Sequence, residues 1–319
     1  MTATPVTRSR WTAADVPDQS GRIVVITGAS GGLGLETAAV LAAKGATVVL
    51  ACRDPAKASR AAAQIVAVAG RDHALVVPLD LARLASVRAA ASAIRSACPS
   101  LDLLINNAGV MAVPHQRTED GFELTLGINH LGHFALTGLL LDRLLATSGS
   151  RVVTVSSIGH QQGTMHFDDL QLEHGYQPWP AYFQSKLANL LFTYELQARL
   201  DAAGAGTIAL AAHPGNARTE LWRSTPRFTQ ALYRPRLRML TFWFAQSAQA
   251  GALATLRAAT DPAARGGSYY GPPGRLQYTG HPVQVESSDR SHDTAAARRL
   301  WDISEQLTGV CYPIPASAG

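Results

Sequence analysis

Ile23-Val24-Val25-Ile26-Thr27-Gly28-Ala29-Ser30-Gly31-Gly32-Leu33-Gly34 is the stretch on which the fold turns. Four β-branched apolar residues in a row, without alternation, read as a strand buried on both faces, as strands of parallel sheets are. Four glycines within seven residues follow, Leu35 to Ala43 then shows helical apolar spacing, and Gly45 ends that helix. A helix entered from such a turn presents unpaired N–H groups and a positive dipole end to an anion. Glycine admits positive φ and leaves no Cβ between the backbone and a phosphate. A tight turn that merely needs glycine is the plain alternative, but this density at a first βα junction favours a phosphate-bearing ligand. The pattern is not G-x-G-x-x-G, because Thr37 stands at the last glycine's place, and no Gly-Lys-Ser/Thr follows to make a P-loop.

Outward from that turn the chain alternates. Thr47 to Ala51, Ala74 to Leu79, Leu101 to Ile105, Arg151 to Val155 and Thr207 to Ala212 read as strands. Lys57 to Val68, Leu84 to Ala97 and Ala181 to Leu200 read as helices, and Phe122 to Leu145 as one or two more. This rhythm implies right-handed βαβ units and an α/β fold: a single-domain doubly wound parallel sheet with helices on both faces. No Pro/Gly-rich linker divides the chain, so 21–319 is read as one domain behind an N-terminal extension, 1–20. Two segments break the rhythm. Ile158 to Pro180 is polar and turn-rich. Leu221 to Gln249 carries Trp222, Phe228, Tyr233, Phe242, Trp243 and Phe244 among several arginines. Long connections often serve as lids, so a substrate lid is assigned around 221–250; the arginines read first as the polar face of a solvated amphipathic helix, with an acidic substrate or a membrane surface as the alternatives.

Composition removes other classes. Of 319 residues, 47% are hydrophobic and 16% charged, which excludes a disordered chain. The net charge of +5 comes from scattered arginines, so no nucleic-acid partner is expected. Three distant cysteines, Cys52, Cys98 and Cys311, support neither a disulfide framework nor a zinc site. Met1 to Gly21 is polar and lacks a signal-like apolar run. Leu124 to Leu141 contains Asn129, His130, His133 and three glycines, so it is read as a buried helix rather than a spanning one. No transmembrane segment and a cytoplasmic location are the expectations.

Thr27, Gly28, Gly32 and Gly34 form Thr-Gly-x-x-x-Gly-x-Gly, which resembles the short-chain dehydrogenase/reductase family. Gly28, Gly31 and Gly34 also fit its extended, sugar-nucleotide-modifying branch. Asn106-Asn107-Ala108-Gly109, after the fourth strand, resembles the single-domain branch instead. The resemblance implies a Rossmann-type domain whose dinucleotide lies along Gly28, Ser30, Gly31, Gly32, Leu33, Gly34, Asn107, Ala108 and Gly109. It places Asp80, with Leu81 beside it, at the adenine, although a helix N-cap also accounts for an aspartate there. His213-Pro214-Gly215-Asn216-Ala217-Arg218-Thr219 resembles the family's turn beside the nicotinamide, assigning Pro214, Gly215, Asn216 and Thr219 to the cofactor.

Cofactor choice is read at Ala51-Cys52-Arg53-Asp54. NAD-preferring members usually carry an acid where Cys52 stands, to bind the ribose hydroxyls. Arg53 instead offers a guanidinium that pairs with a 2′-phosphate, an ordinary surface arginine paired with Asp54 being the other reading. NADP(H) is the expected cofactor, with NAD(H) as the alternative.

Tyr182-Phe183-Gln184-Ser185-Lys186 puts a phenol and an ammonium on one helical face. A nearby ammonium stabilises phenolate, so Lys186 is expected to lower the Tyr182 pKa and fit it for proton transfer. Alone, Y-x-x-x-K is an amphipathic surface; the glycine turn and Asn-Asn-Ala-Gly give it meaning. The resemblance assigns catalysis to Ser157, Tyr182, Lys186 and Asn129. Tyr182 is the general acid/base, Ser157 holds the substrate oxygen, Lys186 binds the nicotinamide ribose, and Asn129 positions a relay water. Asn129 also reads as a polar group satisfying a kinked helix. Ser156 is expected to point away from Ser157. His130 and His133, three apart without an acid, are read as helix residues rather than metal ligands.

Ala51-Cys52-Arg53, Ser185-Lys186-Leu187-Ala188-Asn189 and Leu300-Trp301-Asp302-Ile303-Ser304 resemble the retinol-dehydrogenase-like branch. The function implied is an NADP(H)-dependent oxidoreductase, or ketoreductase, passing hydride between nicotinamide and a lipophilic alcohol or carbonyl. A C=C or C=N reductase and a catalytically silent NADP(H)-binding sensor are the alternatives. Family members often form homodimers through the helices holding Asn129 and Tyr182. Leu136 to Leu141 and Leu187 to Leu191 are apolar enough for that, and core packing explains them equally well.

Overall fold

A computed structural model describes residues 10–70, 73–217 and 245–314. Its centre is one eight-stranded sheet in the order β3-β2-β1-β4-β5-β6-β7-β8. The strands are β1 (Ile23–Thr27), β2 (Thr47–Cys52), β3 (Ala74–Pro78), β4 (Leu103–Asn106), β5 (Arg151–Val155), β6 (Ile208–Ala212), β7 (Tyr269–Gly271) and β8 (Val283–Gln284). Neighbours from β3 to β7 run parallel, whereas β8 joins β7 antiparallel, the one departure from the expected parallel sheet. The helices are α1 (Gly32–Ala43), α2 (Pro55–Ala69), α3 (Leu84–Ala97), α4 (Leu124–Leu145), α5 (Pro178–Ala202), α6 (Ala248–Thr260) and α7 (Thr294–Thr308).

The unalternating strand residues have a direct physical consequence. In β1, Val24 and Ile26 face a core shared with Leu41 of α1, Ile65 of α2 and Leu256 of α6, whereas Val25 faces a core shared with Val87 of α3, Phe134 of α4 and Phe192 of α5. All three β1 residues are fully buried. Helices therefore cover both faces, and the strand order reverses between β1 and β4. That reversal opens a crevice at the carboxyl ends of these strands, where open α/β sheets bind ligands.

Several boundaries move for identifiable reasons. α1 begins at Gly32, not Leu35, with Gly31 as its N-cap, so Gly32 and Gly34 belong to the helix's first turn. α2 begins at Pro55 because the Asp54 carboxylate accepts from the Lys57 N–H and proline suits the first helical position. Phe122 to Leu145 resolves into one helix interrupted by a π turn at Gly127–Leu131. Such insertions concentrate at functional sites. Ile158 to Pro180 holds two short 3-10 turns, Ile158–Gln162 and Phe167–Asp169, before α5 begins. β7, β8, α6 and α7 were not anticipated as elements. The two strands, at 3 and 2 residues, are too short to show a period.

The described part of the N-terminal extension packs on the domain: Trp11 and Val16 are buried, and His281 Nδ1 lies 3.0 Å from the Trp11 carbonyl oxygen. Of the expected lid, residues 221–244 lie outside the described residues, and Ala248 onward is α6. Among the described residues, α4 is the one helix long and apolar enough to cross a membrane, yet 89% of its apolar window is buried in the fold. Leu136, Leu140, Leu141, Leu187 and Leu191, the apolar residues considered for a dimer, are core residues. α7 lies over α4 and α5, with Trp301 stacked on Phe192 at 5.9 Å and edge-on to Phe134 at 5.2 Å.

Candidate active site

The glycine turn is held to the loop after β4 by one hydroxyl. Thr27 Oγ1 accepts the N–H groups of Asn107 and Ala108, each at 2.9 Å, and Asn107 Nδ2 returns a bond to the Thr27 carbonyl at 2.8 Å. The two segments touch so closely that a Cβ on Gly28, which has φ +67°, would lie 3.0 Å from the Ala108 Cα. A Cβ on Gly34 would lie 2.7 Å from Asn107 Nδ2. Gly28 and Gly34 are thus glycines for packing. Gly31 is different: a Cβ there would meet nothing within 4 Å. It borders an open cleft of about 460 Å³.

That cleft gathers most of the expected cofactor residues. Gly28, Ser30, Gly31, Gly32 and Leu33 form one side, Asn107, Ala108 and Gly109 the floor, and Asp80 and Leu81 the far wall. Arg53, Asp54 and Lys57 stand at the outer end. Gly34 sits behind the turn rather than in the cleft. Asp54 is engaged at the α2 N-terminus, where the Lys57 N–H holds its carboxyl below the usual range. Cys52 is buried, and desolvation pushes its thiol up. Asp80 is not the N-cap of α3, which is Arg83; its Oδ1 accepts from the Ala82 N–H at 3.0 Å, within the turn after β3.

A second cleft, of about 340 Å³, adjoins the first across Leu33 and Met111, which line both. Ser157 and Tyr182 open into it, opposite Pro214, Gly215 and Asn216, and Ile158, Trp179, Phe183 and Leu276 give it apolar walls. Thr219 lies outside the described residues. Lys186 and Asn129 line neither cleft but stand directly behind Gly109 of the first: a Cβ on Gly109 would fall 3.1 Å from Asn129 Oδ1 and 3.7 Å from Lys186 Nζ. The first cleft, with the α1 N-terminus on its lining and the Tyr182 cleft adjoining it, therefore fits an elongated dinucleotide, which Gly31, Gly32, Asn107, Ala108 and Gly109 would hold.

Ser157 and Tyr182 share the second cleft, and Ser157 Oγ accepts from the Gly159 N–H at 3.1 Å. As expected, Ser156 points elsewhere and donates to the Lys186 carbonyl at 2.8 Å. Lys186 Nζ donates to the Val155 carbonyl at 3.0 Å and lies 5.7 Å from the Tyr182 ring centre. Burial lowers its pKa to about 8. The expectation that Lys186 depresses Tyr182 is corrected. Burial pushes the phenol up, the nearby Ser157 hydroxyl opposes that, and the ammonium is turned toward the end of β5. Both ends of the Asn129 amide are engaged, Oδ1 accepting from the Val110 N–H at 2.8 Å and Nδ2 donating to the Val110 carbonyl at 3.0 Å and to Ser185 Oγ at 2.9 Å. Ser185 in turn donates to the Tyr182 carbonyl at 2.8 Å.

Sequence reasoning missed several of these partners. Lys57 carries no motif and reaches the cleft only because Asp54 starts α2 where it does. His160 Nε2 accepts from the Ser288 N–H at 3.1 Å, so its proton is on Nδ1 and is donated to the Ser157 carbonyl at 2.6 Å. His133, read as an ordinary helix residue, sits between Thr27 and Asn129. No sequence signal pairs a histidine with a hydroxyl 106 residues away.

Comparison with known proteins agrees with this architecture. The short chain dehydrogenase family model matches residues 22–229. Retinol dehydrogenase 14 of Homo sapiens is 41% identical over 303 residues, covering 91% of this chain and 87% of that protein. An uncharacterised protein from Mycobacterium paratuberculosis, known from its crystal structure, is 46% identical with a TM-score of 0.79, covering 96% of this chain and 100% of that one. The 3-ketoacyl-(acyl-carrier-protein) reductase of Brucella melitensis, solved with NADH, is 25% identical with a TM-score of 0.60, covering 79% of this chain and 96% of that one. With the motif residues meeting at the switch point of a doubly wound sheet, and a match across most of its length, the chain belongs to the short-chain dehydrogenase family.

Proposed function

We propose that this chain is an NADP(H)-dependent oxidoreductase of lipophilic alcohols and carbonyls, with Tyr182 as its general acid/base. The observation that carries the reading is the placement of Ser157 and Tyr182 on an apolar cleft that adjoins a dinucleotide-sized one, with Lys186 and Asn129 directly behind Gly109 of the latter. When bound, the nicotinamide supplies or accepts the hydride. The chain's own residues manage geometry and the proton. Ser157 and Tyr182, which line the same apolar cleft, converge on the position of the substrate oxygen. Tyr182 gives that oxygen a proton in reduction and removes it in oxidation. Lys186 stands between the Gly109 floor and the phenol, where its ammonium would meet a ribose. The cytoplasmic reading of the sequence belongs with this proposal and rests on composition alone.

Two features support the finer choices. Arg53 and Lys57 put two cations at the ribose end of the cleft, with no acid at position 52. The walls built from Ile158, Trp179, Phe183 and Leu276 suit an apolar substrate, in keeping with the retinol named for the human relative.

Tyr182→Phe tests the mechanism. Turnover of an alcohol–ketone pair followed by NADPH absorbance should fall at least about a hundredfold, the usual worth of a positioned acid/base, while NADPH still binds. Turnover equal to the unmodified chain would end the assignment. The same assay with enones and imines decides the bond reduced, and activity confined to those substrates would replace the carbonyl reading.

A further inference from the structure

His133 lies on α4, four residues after Asn129, and is buried within the fold. Its ring touches two elements of the cleft. Nε2 is 2.8 Å from Thr27 Oγ1, and Nδ1 is 3.1 Å from the Asn129 carbonyl oxygen.

The proton positions follow from counting. A threonine hydroxyl has one proton to donate and two lone pairs to accept with. Both lone pairs of Thr27 are taken by the N–H groups of Asn107 and Ala108. Its proton must therefore go outward, to His133 Nε2 at 2.8 Å or to the Ile105 carbonyl at 3.5 Å. The shorter contact makes Nε2 an acceptor. Burial keeps the ring neutral, so its single proton is on Nδ1 and is donated to Asn129. The bonds then form a closed circuit. Thr27 holds the Asn107–Ala108 backbone and His133, His133 holds the Asn129 main chain, and the Asn129 side chain returns to Val110 through two bonds.

We propose that His133, as the Nδ1–H tautomer, is a positioning residue that locks the Asn107–Val110 floor of the cleft to the glycine turn on one side and to Asn129 on the other. The inference rests on the dinucleotide reading of that cleft. His133 touches neither substrate nor cofactor and acts through the height and tilt of the floor. Without it, the Thr27 proton and the Asn129 carbonyl are left in a buried space, and each is free to seek partners that shift the loop.

Two measurements on the full chain decide it. The first is nitrogen NMR of protein carrying ¹⁵N-histidine, with the His133 signals identified by their loss in His133→Gln. The expected pattern is a protonated Nδ1 and an unprotonated Nε2; a protonated Nε2 overturns the proposal whatever the activity. The second compares His133→Phe, which keeps the ring volume, with His133→Gln, whose amide both donates and accepts. His133→Phe should weaken NADPH binding on the order of tenfold, as loss of buried hydrogen bonds does, and lower kcat. His133→Gln should recover most of both. Equal NADPH binding by both variants and the unmodified chain, or equal loss in both, overturns it. If His133→Phe does not fold, the tautomer still decides. An unmodified chain that shows the expected tautomer but neither binds nor oxidises NADPH would sink the redox reading instead.

Discussion

At the residue scale, the cofactor end of the cleft makes a sharp demand. Arg53 and Lys57 are exposed and Asp54 is engaged in capping α2, so both cations face the cleft. Arg53→Ala should weaken NADPH binding by on the order of ten- to a hundredfold, the worth of a lost charged hydrogen bond, and NADH binding far less. Parallel titrations of the two nucleotides measure this, and equal losses would remove the 2′-phosphate contact. Lys186 carries a stability signature of its own. Its pKa is about 8 in the fold against 10.5 in an open chain. Between those values the unfolded state binds more protons, so the cost of burying the amine is full below about pH 8 and is relieved as pH rises toward 10.5. Lys186→Met should therefore lose turnover yet unfold at a higher temperature near pH 7, with the gap closing in alkaline buffer. The Val155 carbonyl keeps a donor in Asn189, so the substitution strands no acceptor. A variant less stable at pH 7 and unchanged by pH would contradict the burial cost.

At the scale of elements, α7 explains how the site helices are fixed. Trp301 is fully buried, stacks on Phe192 of α5, lies edge-on to Phe134 of α4, and has the Arg199 guanidinium 4.3 Å from its ring centre. It joins the two helices that carry Asn129 and Tyr182. Trp301→Ala should cost about 3–5 kcal/mol, as removal of a large buried ring does, read from urea unfolding. A loss below about 1 kcal/mol would mean that the surrounding core closes over the gap. The π turn at Gly127–Leu131 is the matching local device. It sets Asn129 within α4 so that its amide reaches Val110 and Ser185.

For the whole molecule, buried histidines govern acid stability. Burial lowers His130 to about 3, His133 to about 4 and His213 to about 3, from the 6.5 of an imidazole in an open chain. Below 6.5 the unfolded chain takes up protons that the folded chain refuses, so stability is complete above that pH and falls as pH drops through the window. Each histidine contributes up to about 1.4 kcal/mol per pH unit there. Urea midpoints should therefore fall steeply between pH 7 and pH 5. Midpoints that hold steady would show that these rings are solvated.

What was legible in the sequence was local or periodic. Unbroken β-branched runs made buried parallel strands, because only a strand covered on both faces tolerates them. The glycine turn, Asn-Asn-Ala-Gly and the Tyr/Lys pair each lie within one turn or loop, so their spacing is already their geometry. Arg151–Val155 and Leu84–Ala97 fell where their patterns placed them. Long-range pairing had no such signature. Lys186 turning to Val155, Tyr182 raised rather than lowered by its surroundings, and Trp301 bracing α4 and α5 all depend on segments meeting across the sheet. The protonation of His133 is decided the same way. Thr27 and His133 lie 106 residues apart, and only folding brings a filled hydroxyl against an imidazole and leaves the proton one place to go.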